Sequence, residues 1–206
     1  MHFIYANLTS GTRHIANVPI ACRKGCSHCC NIWVDAMPPE VFYAVKAMAP
    51  AQRRAALEAV QRACGITVGR SFDDRGDMVT PCPLLSGDLC SVYAARPINC
   101  RTAVSADADI CKRSYLDVSG EDIPTPMVWI ALRQGYGLAL EGAMIHAGLA
   151  PEAHEWNEAL RLALGDADAE ARWLNGANVF AGLPRAGGGS AFDQPIWQAM
   201  FKEAFG

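Results

Sequence analysis

The sequence predicts a mainly α protein, a helical scaffold around a loop-rich, cysteine-clamped metal-binding region with little sheet. Three observations carry that expectation. Apolar residues recur at helical spacing in several segments, each opened by proline or an acid and closed by glycine or proline. Nine cysteines occur in 206 residues, and four of them fall within nine positions, Cys22-Arg-Lys-Gly-Cys26-Ser-His-Cys29-Cys30. The stretch that carries the later cysteines has little apolar mass of its own, so something other than a core must hold it, and a metal centre would.

Taken in order, residues 1–21 show no clear period and read as an irregular lead-in, with Pro19 stiffening the approach to Cys22. Asn31 to Asp35 is a short extended piece. Pro38-Pro39-Glu40 starts a helix, because proline fits the first turn and an acid there favours the dipole. Val41, Phe42, Val45 and Met48 line one face of it. Ala51 to Cys64 forms the next helix, with Leu57, Val60 and Cys64 on its apolar side, which makes Cys64 a small buried core residue rather than a ligand. Gly65 closes it. Residues 66–80 read as a loop. Pro81 to Cys90 forms two short extended pieces around a Ser-Gly-Asp turn, and Ser91 to Arg96 one helical turn ended by Pro97.

The carboxyl half reads as helical. Pro126 to Gly148 is apolar nearly all round, with Arg133, Gly137 and Glu141 as a narrow polar stripe, the pattern of a central buried helix. Pro151 opens another, with Ala153, Trp156, Leu160 and Leu164 on one face. Asp166 caps one that runs to Leu174. Gly187 to Ser190 lacks the lysine and preceding strand of a phosphate cradle and reads as a linker. A last helix places Trp197, Phe201 and Phe205 four residues apart. The organisation expected is a cysteine-cluster metal-binding region with two helices over residues 1–118 and a helical region packed on it over residues 119–206, together one compact unit.

A formal charge of −3 gives no basic excess for a nucleic-acid partner. The amino end lacks a basic start followed by an apolar core, so no secretory signal is expected. The most apolar segment, Ile123 to Leu149, is interrupted by Arg133, Gln134 and Glu141, which a membrane span would tolerate poorly. A cytoplasmic protein follows, and in that compartment an odd number of cysteines argues for metal binding over a disulfide framework.

Thiolates are soft ligands for zinc, copper(I) and iron–sulfur clusters. Cys22-x3-Cys26-x2-Cys29 lets three sulfurs converge from a tight loop, with Gly25 easing the turn. In extended backbone the adjacent Cys29 and Cys30 would point opposite ways, so Cys30 serves a second centre or packs against the first. Cys82, Cys90, Cys100 and Cys111 reach a common point if the chain folds back. Without Cys64, eight thiols remain. They divide into two four-ligand sites, or into one such site with four buried spare thiols. Two four-thiolate sites with +2 centres would move the net charge to roughly −7. Arg23, Lys24, Arg96, Arg101, Lys112 and Arg113 lie near enough in sequence to offset it, or are ordinary solvated bases.

Three blocks, Cys22-x3-Cys26-x2-Cys29-Cys30, then Pro81-Cys82-Pro83-Leu84, then Cys90-x2-Tyr93-x2-Arg96-Pro97-x2-Cys100-Arg101, resemble the YkgJ-type cysteine-cluster family, the CxxCxxCC proteins described as zinc- or iron-chelating. The resemblance covers roughly residues 22–111. It implies a metal role for Cys22, Cys26, Cys29, Cys30, Cys82, Cys90, Cys100 and Cys111. Three residues rather than two separate Cys22 from Cys26, which departs from the family pattern at Cys22. A flagellin lysine methylase with a similar domain is linked to an iron–sulfur centre, so the resemblance admits an enzyme.

The Cys22-x3-Cys26-x2-Cys29 spacing also occurs in radical S-adenosylmethionine enzymes, but those place it in a βα barrel, and no strand–helix alternation is present. His28 could replace a thiolate, although cysteines are plentiful beside it. His146, on the apolar helix, reads as a core residue. Asp73-Asp74 and Asp107-x-Asp109 read as solvated loop carboxylates. Tyr93 and Arg101 are candidates to support the centre, Arg101 by hydrogen bonds to a negative cluster and Tyr93 by packing the turn between Cys90 and Cys100. The expected cofactor is an iron–sulfur cluster of the [4Fe-4S] type, with zinc as the alternative. The expected function is electron transfer or another redox role. The alternatives are a metal-dependent methyl-transfer or oxidation enzyme and a structural zinc module. The expected partners are metal ions and a redox or protein partner.

Overall fold

The computed structural model describes residues 1–14 and 17–185, and beyond these only Pro195, Ala199, Lys202 and Glu203. The Gly187–Ser190 linker and the last helix with Trp197, Phe201 and Phe205 lie outside the described residues. The fold is mainly α, as the periodicity predicts. The amino end differs from the expected irregular lead-in, because residues His2–His14 form a helix, α1. Its described inward face rests on Tyr5 and Leu8, a pair too short to register as a period.

Helix α2 (Pro38–Lys46) begins at the two prolines, and Glu40 accounts for its geometry. One carboxylate oxygen accepts the Met37 N–H at 2.9 Å, while the other accepts the Ile98 N–H at 2.6 Å and the Tyr5 hydroxyl at 3.4 Å. A buried acid thus stitches the start of α2 to α1 and to the segment carrying Cys100. Burial pushes its pKa up, against the pull of those donors.

Helix α3 (Pro50–Thr67) buries Ala56, Val60, Ala63, Cys64 and Thr67 in one stripe. A short helix, α4 (Phe72–Gly76), interrupts the predicted loop, with Ser71 and Asp74 exchanging hydrogen bonds at its start. This explains the Asp73-Asp74 pair locally as a helix start.

The helix expected to be central is not central. In α7 (Met127–His146) only Trp129, Leu140, Glu141, Gly142 and Met144 are buried, and Met127 is 75% exposed. Glu141, in the expected polar stripe, faces inward, and His146 is exposed rather than in the core. The central position belongs to α8 (Trp156–Gly165), which packs on α2 and α3 and buries Trp156, Ala159, Leu160 and Ala163. Its start is set not by Pro151 but by Glu155, whose side chain accepts the Glu158 N–H at 2.8 Å. Phe42 meets Trp173 of α9 (Ala169–Leu174) and Phe180 at ring distances of 5.8 and 5.4 Å.

Among the described residues, sheet is confined to two-residue pairs. β1 (Asp35–Ala36) runs antiparallel to β4 (His154–Glu155), pairing Asp35 with Glu155 and Ala36 with His154. β2 (Leu85–Ser86) and β3 (Leu89–Cys90) flank the Ser-Gly-Asp turn, where Gly87 takes φ +57°. No helix among the described residues is long and apolar enough to cross a membrane.

Candidate metal centre

The first cysteine loop turns on Gly25, at φ +86°, a region that side-chain-bearing residues rarely adopt. The Cys26 N–H closes the turn on the Arg23 carbonyl at 3.0 Å. His28–Asn31 then winds into a short 3-10 turn. The backbone at Cys29 and Cys30 is therefore not extended, and their side chains hydrogen-bond to each other.

The second set of cysteines is brought back onto the first by backbone contacts. The Cys82 N–H donates to the Cys30 carbonyl at 2.7 Å, and the Ser27 hydroxyl to Asp88 at 2.7 Å. The Ala21 N–H donates to the Ser105 carbonyl at 2.8 Å. Helix α5 (Ile98–Thr102) carries Cys100 and is anchored by Glu40 and by the Asn99 side chain, which donates to the Asp35 carbonyl at 2.7 Å. Helix α6 (Ala108–Leu116) carries Cys111 and packs against the 28–31 turn. Asp107 caps it, accepting the Asp109 and Ile110 N–H groups at 2.8 and 3.0 Å, which gives that aspartate a local structural role.

The result is a cavity of about 750 Å³ lined by Cys22, Cys26, Cys29, Cys30, Cys82, Cys90 and Cys100. Cys111 is buried and is not part of that lining, but it lies in the fields of Cys22, Cys29 and Cys26. Cys64 lies apart, in the core between α3 and α8, where burial pushes its pKa up to about 12. His28 does not line the cavity. The carboxylates that do, Asp88 and Glu155, are engaged by Ser27 and by Arg75.

Burial governs the thiols. It pushes Cys22, Cys90 and Cys111 up, Cys100 well up, and Cys82 up to about 11. Cys29 is pushed up as well, first by its hydrogen bond with Cys30 and then by burial. Against this, polar groups are aimed at the sulfurs. The Ser105 N–H reaches the Cys22 Sγ at 3.4 Å, and the backbone N–H groups of Leu84 and Val92 favour the thiolates of Cys82 and Cys90. The Trp156 side chain does the same at Cys82, and the Ser105 side chain at Cys111. Ser105 thus touches the first and last cysteines of the set.

Among the bases, Arg96 matters most. Its charge favours the thiolates of Cys22, Cys29, Cys90 and Cys100. Its guanidinium carbon lies 3.8 Å from the centre of the Tyr93 ring, so Tyr93 acts by carrying Arg96. Arg101 is committed to the backbone instead, donating to the Arg96 carbonyl at 2.8 Å and to the Ala94 carbonyl, with its guanidinium 3.9 Å over the Tyr5 ring. Arg23 and Lys24 line the cavity, whereas Arg113 pairs with Glu121 at the surface. Sequence reasoning missed Ser105, Trp156 and Tyr115. Tyr115 stands one helical turn after Cys111, a readable i,i+4 spacing. Burial and the fields of Cys29, Cys111 and Cys22 push its hydroxyl up to about 12.

Among the described residues, no three His, Cys, Asp or Glu side chains are set in coordination geometry. The thiols are gathered around a shared space, and ligation requires them to turn inward and lose protons. The donor set fits a thiophilic centre: sulfurs free to ligate, carboxylates already engaged, and N–H groups directed at sulfur.

Fold and site thus define a helical protein built around a cavity lined by cysteine thiols. A family model described as "CxxCxxCC: Putative zinc- or iron-chelating domain" matches residues 21–117 of this chain. No curated protein and no solved structure gives a significant match.

Proposed function

We propose that the chain holds two iron–sulfur centres and serves a redox role, most simply electron transfer. Cys22, Cys26, Cys29 and Cys111 form one ligand set, and Cys30, Cys82, Cys90 and Cys100 the other. The observation that carries this reading is the gathering of seven cysteines on one 750 Å³ cavity whose two lining carboxylates, Asp88 and Glu155, are already engaged. The mutual fields of the thiols support part of this division. Cys22 and Cys111 share Cys26 and Cys29 as neighbours and Ser105 as a contact, and Cys82 and Cys100 are in the field of Cys90. Cys29 stands where the two sets meet, hydrogen-bonded to Cys30 and acting on Cys100.

Sulfur donors suit both zinc and iron–sulfur clusters. The preference for clusters rests on the Arg96 charge beside Cys22, Cys29, Cys90 and Cys100, a setting that suits redox chemistry. When bound, a cluster would supply one-electron chemistry at a potential set by its charge, hydrogen bonds and exposure. The protein's part is to hold the sulfurs, aim N–H groups at them, bring Arg96 near them and restrict water.

A second reading, a metal-dependent enzyme, is favoured by one observation. The same cavity extends past the thiols to Trp129, Trp156 and a buried Arg75–Glu155 pair, an apolar recess with polar groups beside the metal site.

Single substitutions test the division. Cys26→Ser and Cys90→Ser are each expected to lose about half of the bound iron and acid-labile sulfide, and the double variant all of it. Cys64→Ala is expected to leave both counts unchanged. Loss of all iron in either single variant would mean one shared centre.

A further inference from the structure

Among the described residues, four buried polar side-chain atoms that line the thiol cavity have no hydrogen-bond partner within the chain: Arg75 Nε, Thr80 Oγ1, Arg96 Nε and Trp129 Nε1. Three of them can only donate, and the hydroxyl is able to. Buried donors without acceptors are costly, so a wall that presents several is matched by a ligand that supplies acceptors. Arg96 belongs with the thiols, whose sulfurs can accept from it. Arg75 and Thr80 have no such partner.

Arg75 is 3% exposed and Thr80 5% exposed. The Arg75 Nη1 donates to the Glu155 carboxylate at 3.3 Å, and the other Glu155 oxygen accepts the Glu158 N–H at 2.8 Å. The guanidinium carbon lies 5.9 Å from the centre of the Trp33 ring. Arg75 and Glu155 therefore neutralise each other and call for no counter-ion. What remains is donor capacity at Arg75 Nε, together with the Thr80 hydroxyl. Ile32, Val34, Leu84 and Trp156 line the same cavity with apolar surface.

We propose that this end of the cavity binds an uncharged small organic molecule with an apolar body and a carbonyl oxygen, the oxygen accepting from Arg75 Nε and Thr80 Oγ1. A carboxylate would fit less well, because it would bring a second negative charge beside Glu155 and the thiolates. The site gives the redox reading a small-molecule partner held in the same cavity as the sulfurs. It rests on that reading only for what the molecule does there, not for whether it binds.

The test uses the purified full chain with its metal content counted. Acetophenone, ethylbenzene (nearly the same shape without the oxygen) and benzoate are compared by saturation-transfer NMR and calorimetry. Acetophenone is expected to bind about ten-fold more tightly than ethylbenzene, the worth of one good hydrogen bond, and more tightly than benzoate. Thr80→Val, close in shape, is expected to cut the preference over ethylbenzene to about three-fold at unchanged metal content, because Arg75 Nε still donates. Equal binding of acetophenone and ethylbenzene, no binding of either, or tighter binding of benzoate would each overturn the proposal, and wild-type protein alone decides among these. An unchanged preference in Thr80→Val would overturn it as well. The metal count is read independently, so failure here is distinct from failure of the iron–sulfur reading.

Discussion

Arg96 is where a single side chain bears on most of the sulfur chemistry. Its charge reaches Cys22, Cys29, Cys90 and Cys100, and Tyr93 stacks beneath it at 3.8 Å. A fixed positive charge stabilises the more negative, reduced form of a neighbouring centre. Arg96→Gln is therefore expected to lower the midpoint potential by roughly 60 mV, a tenfold change in a one-electron equilibrium, with iron content preserved. Arg96→Lys is expected to retain most of the wild-type value. Potentiometric titration of the visible absorption reads both, and a potential unmoved in Arg96→Gln would remove Arg96 from the account. Arg101, whose sequence position beside Cys100 made it a candidate for that role, instead ties the turn between residues 94 and 101 to its own backbone. Adjacency in sequence does not reveal which of two nearby guanidinium groups faces the sulfurs, because that depends on where Tyr5 and Tyr93 stand.

Among the elements, the short β1–β4 pair joins the metal-binding half to α8. Its buried His154 lies 3.4 Å from the Leu183 carbonyl, with its ring 5.7 Å from Phe180. Burial lowers the His154 pKa below its ordinary value near 6.5. The unfolded chain then takes up a proton that the folded chain refuses. The stabilisation is complete above about pH 6.5 and is lost as pH falls through the lowered folded value. At matched metal content, the urea midpoint of the wild type is expected to drop between pH 7.5 and 5.5 more than that of His154→Phe. Parallel pH curves for the two proteins would contradict this.

Legibility also varied by element. The starts of α2 and α3, the turn at Gly87 and the core position of Cys64 were readable, because proline, glycine and apolar spacing act locally. The exchange of roles between α7 and α8 was not. An all-round apolar sequence such as Met127–His146 states that burial is available, not which neighbour provides it. The shorter α8 takes the centre because its Trp156–Leu160–Ala163 face meets both α2 and α3.

At the scale of the molecule, a buried cluster running from Tyr5 through Val41, Val60 and Leu160 to Phe180 supports one wall of the thiol cavity. The candidate cysteines were visible as spacing, and the matching family model spans the same three blocks. Their supports, Ser105, Tyr115 and Trp156, were hidden because each reads as ordinary helix or loop until the chain folds back. The donors at Arg75 and Thr80 were hidden for the same reason, since only tertiary packing leaves them facing one cavity. The function turns on what the eight sulfurs hold. Anaerobic purification, followed by the visible absorption spectrum and a count of iron, zinc and acid-labile sulfide, addresses that directly. A brown protein with iron and sulfide in near-equal amounts and little zinc is the predicted result. A colourless protein with stoichiometric zinc would contradict it.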